Sequence, residues 1–186
     1  SSDLCPLRCQ FCHNPDTWKM TEENGAVWKS ADALLNQALR YRPYWKNGGG
    51  ITVSGGEPLL QIDFMLEFFK KAKEKGIHTT IDTAGGPFTR EEPFFSKFQE
   101  LMKYTDLLLV DIKHIDTECH KVLTDRSNEN ILDMIRYLSD IKKPIWIRHV
   151  LVPERSDKDE YLTRLADFIH SLNNVEKVEI LSYHTM

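Results

Sequence analysis

Short apolar runs alternate along this chain with segments of helical periodicity, and this alternation restricts its fold more than any other feature. Segments between the runs repeat apolar residues at three- and four-residue spacing, as in Ile62, Met65 and Phe69, which is the pattern of an amphipathic helix. Strands that alternate with helices predict an α/β fold with a parallel sheet covered by helices. The pattern leaves an open doubly wound sheet and an arc of a barrel as alternatives. The predicted strands are Ile51–Ser54, Ile77–Asp82, Leu107–Ile112, Pro144–Val152 and Lys177–Ser182.

Further segments with the helical pattern lie at about residues 30–41, 131–138 and 162–172. Ser156 with Asp159 three residues later predicts a capping box that opens the last of these helices. A chain of 186 residues is long enough for one domain with a sizeable core and short for two. We therefore expect a single domain over residues 1–186, and the start only four residues before Cys5 suggests truncation at both ends.

Charge and hydropathy exclude several classes of partner. The chain has 24 basic and 28 acidic residues, a net charge of −4, and no basic tract, so nucleic acid is not an expected partner. No apolar run has the length of a membrane span, and no signal peptide opens the chain. Clustered cysteines without a disulfide-like distribution indicate a reducing compartment. We therefore expect a cytoplasmic protein.

Polar groups and glycines stand at the predicted carboxyl ends of all five strands, where α/β proteins carry their functional residues. Each alone has an ordinary explanation, such as a tight turn, a helix cap or a solvated charge. Together they predict one ring of functional groups around a single mouth. In strand order they are Gly55, Gly56 and Glu57; Asp82 and Thr83; Asp111 and Lys113; Arg148 and Val150; and His184.

Three cysteines, Cys5, Cys9 and Cys12, lie within the first twelve residues in a C-x3-C-x2-C pattern. Thiolates select zinc, copper(I) or iron–sulfur clusters. A [4Fe–4S] cluster has four irons, so three thiolates leave one iron open for a ligand. The alternative is a zinc knuckle that takes His13 as its fourth ligand. Cys119 lies far along the chain and is interpreted as an isolated thiol.

The cysteine motif resembles that of the radical S-adenosylmethionine (SAM) superfamily. Its extension through Asn14-Pro15-Asp16-Thr17-Trp18 narrows the resemblance to the enzymes that activate glycyl radical enzymes. No cysteine occurs between Cys12 and Gly55, which matches the single-cluster branch that acts on pyruvate formate-lyase. The resemblance implies a partial (β/α)6 TIM-like barrel that here lacks its first strand. Other matching stretches are Gly48–Glu57, Gly76–Thr79, Asp82–Thr83, Asp111–Lys113, Trp146–Arg148 and Tyr183–His184.

The resemblance also implies cofactors and a role for each predicted residue. Cys5, Cys9 and Cys12 would be the catalytic metal ligands of a [4Fe–4S] cluster, with SAM on the open iron. Gly55, Gly56 and Glu57 would meet the methionine amino group, largely through the backbone. Asp82, Thr83 and Asp111 would bind a monovalent cation. The remaining contacts to SAM would come from Lys113, Arg148, Val150 and His184.

The implied activity is that of an oxidoreductase: reductive cleavage of SAM followed by hydrogen abstraction from a backbone glycine of pyruvate formate-lyase. A flavodoxin or ferredoxin would supply the electron, and the enzyme would be a monomer. The alternatives are another glycyl radical enzyme or a small molecule as substrate, or a zinc-knuckle interaction domain. The chain departs from the family pattern at Ala84 and Glu154. Without the family's first strand, we expect the cysteine loop to lack an anchor on the sheet.

Overall fold

The computed structural model describes residues 4–12, 15–18, 27–45 and 48–183. Its strands form one sheet, and its helices follow or precede them in regular alternation. The strands are β1 (Gly50–Val53), β2 (His78–Thr83), β3 (Leu107–Asp111), β4 (Ile145–Leu151) and β5 (Val175–Ser182). The α-helices are α1 (Ala31–Leu39), α2 (Ile62–Glu74), α3 (Phe94–Lys103), α4 (Thr117–Thr124), α5 (Glu129–Asp140) and α6 (Asp159–His170). Short 3-10 helices span Pro15–Trp18, Arg42–Tyr44 and Pro58–Gln61.

Strand order decides between the two architectures that the sequence left open. Every neighbouring pair is parallel, and the order across the sheet is β1-β2-β3-β4-β5, the order of the chain. A doubly wound sheet reverses direction at a switch point, and this sheet does not. Right-handed crossovers that always advance in one direction place their helices on one face. The α/β fold predicted as an arc of a barrel is therefore confirmed.

The core lies between this helical face and the sheet. Phe68 and Phe69 of α2 and Phe98 of α3 are at most 1% exposed, and they belong to one cluster with Leu108 of β3 and Ile147 of β4. Alternation along the strands turns the intervening residues to the opposite face. Apolar residues such as Ile81, Leu108 and Ile147 thus face the helices from the central strands, and the other face of the sheet is left to the site.

Element boundaries agree with the predicted strands to within two residues, but the predicted capping box is wrong. The residue before α6 is Lys158, which makes no side-chain cap. The Ser156 hydroxyl instead donates to Val150 O (2.8 Å) and accepts from the Val152 amide (2.9 Å). Ser156 therefore closes the turn after β4 rather than opening α6. Within the described residues, no helix is long and apolar enough to cross a membrane.

Candidate functional site

A cavity of about 590 Å³ lies at the carboxyl ends of the strands and is open to solvent on one side. The cysteine loop and the ends of all five strands contribute to its wall. It brings together nearly every residue that the sequence placed in the site. The predicted residues in the wall are Cys5, Cys9, Cys12, Gly55, Gly56, Asp82, Thr83, Asp111, Lys113, Arg148 and Val150. His184 and His13 lie outside the described residues.

The cysteine loop is anchored by backbone hydrogen bonds on two sides. Leu4 O accepts from the Glu57 amide (2.5 Å) just after β1. The amides of Arg8 and Gln10, on either side of Cys9, donate to the last carbonyls of α4, Thr124 O (2.8 Å) and Leu123 O (2.9 Å). These carbonyls have no partner within the helix. The loop, expected to lack an anchor on the sheet, is therefore anchored on α4 and on the turn after β1, which the sequence did not predict.

The three thiols form one wall of the cavity and influence one another. Burial raises the pKa of Cys9 to about 11, and the nearby Cys5 and Cys12 add to the effect while Lys113 opposes it. Burial also raises the pKa of Cys5. Both thiols are consequently protonated at neutral pH, so any metal centre that they bound would have to displace these protons. Within the described residues, no three His, Cys, Asp or Glu side chains converge on a single metal ion.

Gly56 allows the cysteine loop to approach the sheet. A Cβ on Gly56 would lie 2.2 Å from Leu4 O and 2.6 Å from its carbonyl carbon, so any side chain there would collide with backbone. Gly55 has φ +145°, a conformation that is readily available only to glycine. Two successive glycines therefore let a thin turn run between β1 and the cysteine loop, with Gly55 and Gly56 facing the cavity.

Glu57 differs from the other predicted residues because, among those described, it alone does not line the cavity. Its carboxylate is 3% exposed and accepts hydrogen bonds from the Thr83 hydroxyl (2.6 Å) and from the Leu59 and Ala84 amides (both 3.0 Å). Burial outweighs these donors and raises the pKa of Glu57 to about 7. Glu57 thus ties the turn after β1 to the turn after β2.

Two acidic and two basic side chains form a compact charged group in the cavity wall, and Lys113 of this group lies close enough to Cys9 to influence it. Arg148 bridges two strands: its guanidinium contacts the Asp82 carboxylate and donates from Nε to Asp111 Oδ1 (3.0 Å). Lys113 Nζ lies 2.7 Å from Asp111 Oδ2. Burial raises the pKa of Asp82 although Arg148 opposes it. Burial also opposes the charge of Lys113, but Asp111 and Cys9 together outweigh burial and raise the pKa of that ammonium.

Register explains why these charges meet. Asp111 of β3 pairs directly with Arg148 of β4, and Asp82 stands on the inner face of β2. On β4, Val150 shares the inner face with Arg148, whereas His149 points into the core and bonds Ile112 O (2.7 Å) through Nδ1. Arg148 and Val150, both predicted for the site, therefore share the face of β4 that lines the cavity.

Apolar residues complete the cavity, and sequence reasoning missed them. Phe11 lies between two of the cysteines, and its ring centroid is 5.7 Å from Lys113 Nζ. Ile180 and Leu181 of β5 form part of the rim. Nothing in the sequence distinguished these side chains from core residues, because an apolar residue carries no chemical signature of its own. Cys119, by contrast, lies away from this wall, with Sγ 3.4 Å from the Tyr161 hydroxyl.

Known proteins resemble this chain in both sequence and fold. The model of the Radical SAM superfamily matches residues 1–166. A pyruvate formate-lyase-activating enzyme of Listeria monocytogenes is 53% identical over 183 residues, which are 98% of this chain and 73% of that protein. The enzyme of the same name from Streptococcus mutans is 51% identical over 182 residues, covering 98% of this chain and 69% of the relative.

Two solved structures show the same fold. A domain of pyruvate-formate lyase-activating enzyme from Bacteroides vulgatus has a TM-score of 0.65 and 33% identity, over 74% of this chain and 82% of that chain. Streptococcus suis SuiB bound to S-adenosylmethionine has a TM-score of 0.70 over all of this chain and 38% of that one; at 20% identity it supports the fold alone. The cysteine pattern, the sheet and these relatives lead to one assignment: the chain belongs to the radical SAM superfamily and, within it, to the family of pyruvate formate-lyase-activating enzymes.

Proposed function

We propose that this chain activates pyruvate formate-lyase by using a [4Fe–4S] cluster and SAM to remove a hydrogen atom from a backbone glycine of that enzyme. The observation that supports this function best is the cavity itself. Three thiols line the cavity, the turn after β1 exposes glycine backbone, and a charged group of balanced sign lies at the ends of β2, β3 and β4. An amino-acid cofactor with an amino group, a carboxylate and a sulfonium has complementary partners among these groups.

Cys5, Cys9 and Cys12 are the cluster ligands in this proposal. The donor set fits the group, because three soft thiols face one space and their protons leave when they bind metal. When bound, the cluster supplies the electron that cleaves SAM and so permits hydrogen abstraction from the substrate glycine. The protein's own task is to hold the loop in place, which the backbone bonds to α4 and to the Glu57 amide achieve.

Gly55 and Gly56 bind the methionine amino group of SAM through their backbone. The close approach that glycine allows is what brings a ligand next to the main chain. Glu57 acts through these glycines and not by contact: its buried carboxylate fixes the turn by bonds to Thr83 and Ala84. Its proposed part in binding SAM is therefore to position the turn.

The charged group recognises the carboxylate end and the ribose of the cofactor. Lys113 and Arg148 are the donors, and Arg148 stands between Asp82 and Asp111. A monovalent cation joins the site through oxygen atoms of Asp82, Thr83 and Asp111, the ligand type that hard cations prefer. Cation and guanidinium then share the two carboxylates.

Val150 packs on the adenine, and His184 supplies a further contact near the end of β5. Both roles are those that the family resemblance implies for these two positions. Phe11, Ile180 and Leu181 add apolar surface at the rim, where they exclude water from a reactive species. The cavity is open to solvent on one side, which a peptide segment of a protein substrate requires.

The remaining parts of the proposal concern the setting in which the enzyme works. A flavodoxin or ferredoxin donates the electron, and the chain acts as a single domain over residues 1–186 and as a monomer. Clustered thiols that must stay reduced favour the cytoplasm as its location.

Activation can be tested with paired cysteine variants. The chain is reconstituted anaerobically with iron and sulfide, reduced, and mixed with SAM and pyruvate formate-lyase. We expect a glycyl radical signal in electron paramagnetic resonance (EPR) and about one 5′-deoxyadenosine per glycyl radical, since each abstraction consumes one SAM. Cys12→Ser should abolish both, whereas Cys119→Ser, which changes a thiol outside the cavity, should retain them.

Two results would contradict the proposal. Cleavage of SAM without a radical on pyruvate formate-lyase would assign the chemistry to another substrate. A colourless chain with one zinc and no iron would support the zinc-knuckle alternative.

A further inference from the structure

The loop that leaves β2 runs between helix α5 and the cysteine loop, and two adjacent glycines make it thin enough to fit. Gly85 faces the helix: a Cβ there would lie 2.6 Å from Met134 Cε, a flexible methyl. Gly86 faces the opposite way, and its Cβ would lie 2.7 Å from Pro6 Cγ. Pro6 directly follows Cys5. The loop from β2 therefore touches the cysteine loop next to one of the proposed ligands.

The β2 loop cannot easily retreat from Pro6. Gly86 O accepts a hydrogen bond from Asn130 Nδ2 of α5 (2.5 Å), and Gly85 N donates to Thr83 Oγ1 (2.8 Å). Phe88, whose amide donates to Gly85 O (3.1 Å), is 2% exposed within the aromatic core. A methyl group added at Gly86 must consequently be accommodated by Pro6, because the side of the loop that faces α5 is fixed.

The cysteine loop has little freedom to absorb such a displacement without moving Cys5. The ring of Pro6 locks its φ, and Leu4 O on the other side of Cys5 is held by the Glu57 amide. The Arg8 guanidinium donates to Cys5 O (2.5 Å). Cys5 therefore lies between two constrained neighbours, and a shift of the proline ring passes directly to its backbone.

We propose that Gly86 is a positioning residue that sets the place of Cys5 through contact with Pro6. As regards the cluster, this inference rests on the proposed function, in which Cys5 is a ligand. Residues outside the first ligand shell commonly change metal affinity when they are altered. Gly86 would do so although its own chemistry is inert, because only the absence of a side chain leaves room for Pro6.

The geometry also specifies the variant that should restore the site. Pro6 Cβ lies 3.8 Å from the position of a Cβ on Gly86, and only Cγ lies closer than 3 Å. Pro6→Ala removes Cγ and Cδ and leaves an ordinary van der Waals contact. Pro6→Ala should thus relieve Gly86→Ala. Gly85→Ala is the matched control, since it alters the adjacent residue on the side that faces α5.

The test compares wild type, G86A, P6A, G86A/P6A and G85A in the full chain without SAM. Readouts are iron per chain, retention of the cluster during chelator challenge, and the EPR spectrum after reduction. We expect G86A to lose its cluster about 10-fold faster, as is typical of changes around metal ligands, and to show an altered spectrum. The double variant should return to the wild-type values. G85A, strained by φ +72°, should melt earlier with an unchanged spectrum.

A second readout keeps this inference separate from the proposed function. In the metal-free chain, the alkylation rate of each cysteine can be followed by mass spectrometry. G86A should change the rate at Cys5, leave Cys119 unchanged, and be reversed by P6A. Wild type that takes up no iron would overturn the proposed function while the alkylation result still judges Gly86. Identical iron retention and identical Cys5 alkylation in G86A and wild type, or no rescue by P6A, would overturn the positioning role.

Discussion

Glu57 is a carboxylate in a place where carboxylates are rare. It is 3% exposed, and three donors surround it, the hydroxyl of Thr83 and two backbone amides. Hydrogen bonds of this kind favour the ionised form, but burial is the larger effect and the pKa of Glu57 rises to about 7. A single side chain thus joins two turns of the site and titrates near neutrality.

The raised pKa of Glu57 predicts how stability depends on pH. The folded state holds the proton up to about pH 7, whereas the unfolded state releases it near the usual 4.5. The stabilisation that the protonated Glu57 side chain contributes is therefore complete below pH 4.5 and is lost as the pH rises through 7. The loss is roughly 3 kcal/mol in the free energy of unfolding, at 1.36 kcal/mol per pKa unit.

Urea unfolding of wild type and Glu57→Gln between pH 4.5 and 8 measures the pH dependence that Glu57 contributes to stability. The relevant quantity is the difference in the free energy of unfolding between the two proteins. Burial lowers the pKa of His114 and His120, so these two side chains add stability as the pH rises toward 6.5. Both proteins contain them, and the difference removes their effect. We expect the wild type to lose stability relative to Glu57→Gln as the pH increases. A difference in stability that is constant with pH would contradict the prediction. Glu91→Gln, which changes an exposed glutamate, serves as the control.

At the scale of elements, α4 links the chain's middle to the cysteine loop. Its first turn is capped by Asp116, whose carboxylate accepts from the amides of Glu118 and Cys119 (both 3.1 Å). The Cys119 amide, with the help of Arg164, lowers the pKa of Asp116 to about 2. At the other end of α4, the last carbonyls accept hydrogen bonds from the amides of Arg8 and Gln10. Cap and loop therefore stand at opposite ends of one short helix.

Removing the cap of α4 should affect both stability and the cluster. Asp116→Ala should cost about 0.5–2 kcal/mol, the usual range for an N-cap, and should reduce iron per chain because the helix end that holds the cysteine loop frays. Ser30→Ala is the control because it removes a comparable cap from a different helix, α1. Ser30 Oγ accepts a hydrogen bond from the Ala33 amide (3.2 Å), and α1 packs against α2.

Thermal unfolding and iron analysis of the two variants separate these effects. We expect both to melt earlier and only Asp116→Ala to lose iron. Equal iron content in the two variants would show that α4 does not support the loop.

The elements also show which features of the fold and the site were predictable. Strands and most helices followed from periodicity, because burial of one face imposes it on the residues. Helices α3 and α4 did not follow from periodicity, and Ser156 was wrongly placed in a cap because its hydroxyl has closer partners at Val150 and Val152. The contact of the cysteine loop with α4 is made by backbone, and backbone bonds leave no mark on residue identity.

At the scale of the whole molecule, the arrangement of the site follows from strand order. Asp82, Asp111 and Arg148 come from three consecutive strands that are also neighbours in the sheet. The sequence could place each at a strand end, and the carboxyl-end rule then brought them together. Residue patterns without the family resemblance left the strand order open, and nothing in the sequence indicated that Glu57 turns out of the cavity. Those depend on how distant segments pack.

The central claim for the molecule is that three cysteines hold a cluster whose fourth iron is open to SAM. It is tested most directly by EPR of the anaerobically reconstituted and reduced chain, recorded before and after addition of SAM. We predict a reduced [4Fe–4S] spectrum whose g-values change when SAM is added, since a new ligand on the open iron alters the cluster. A cluster whose spectrum is the same with and without SAM would contradict the claim.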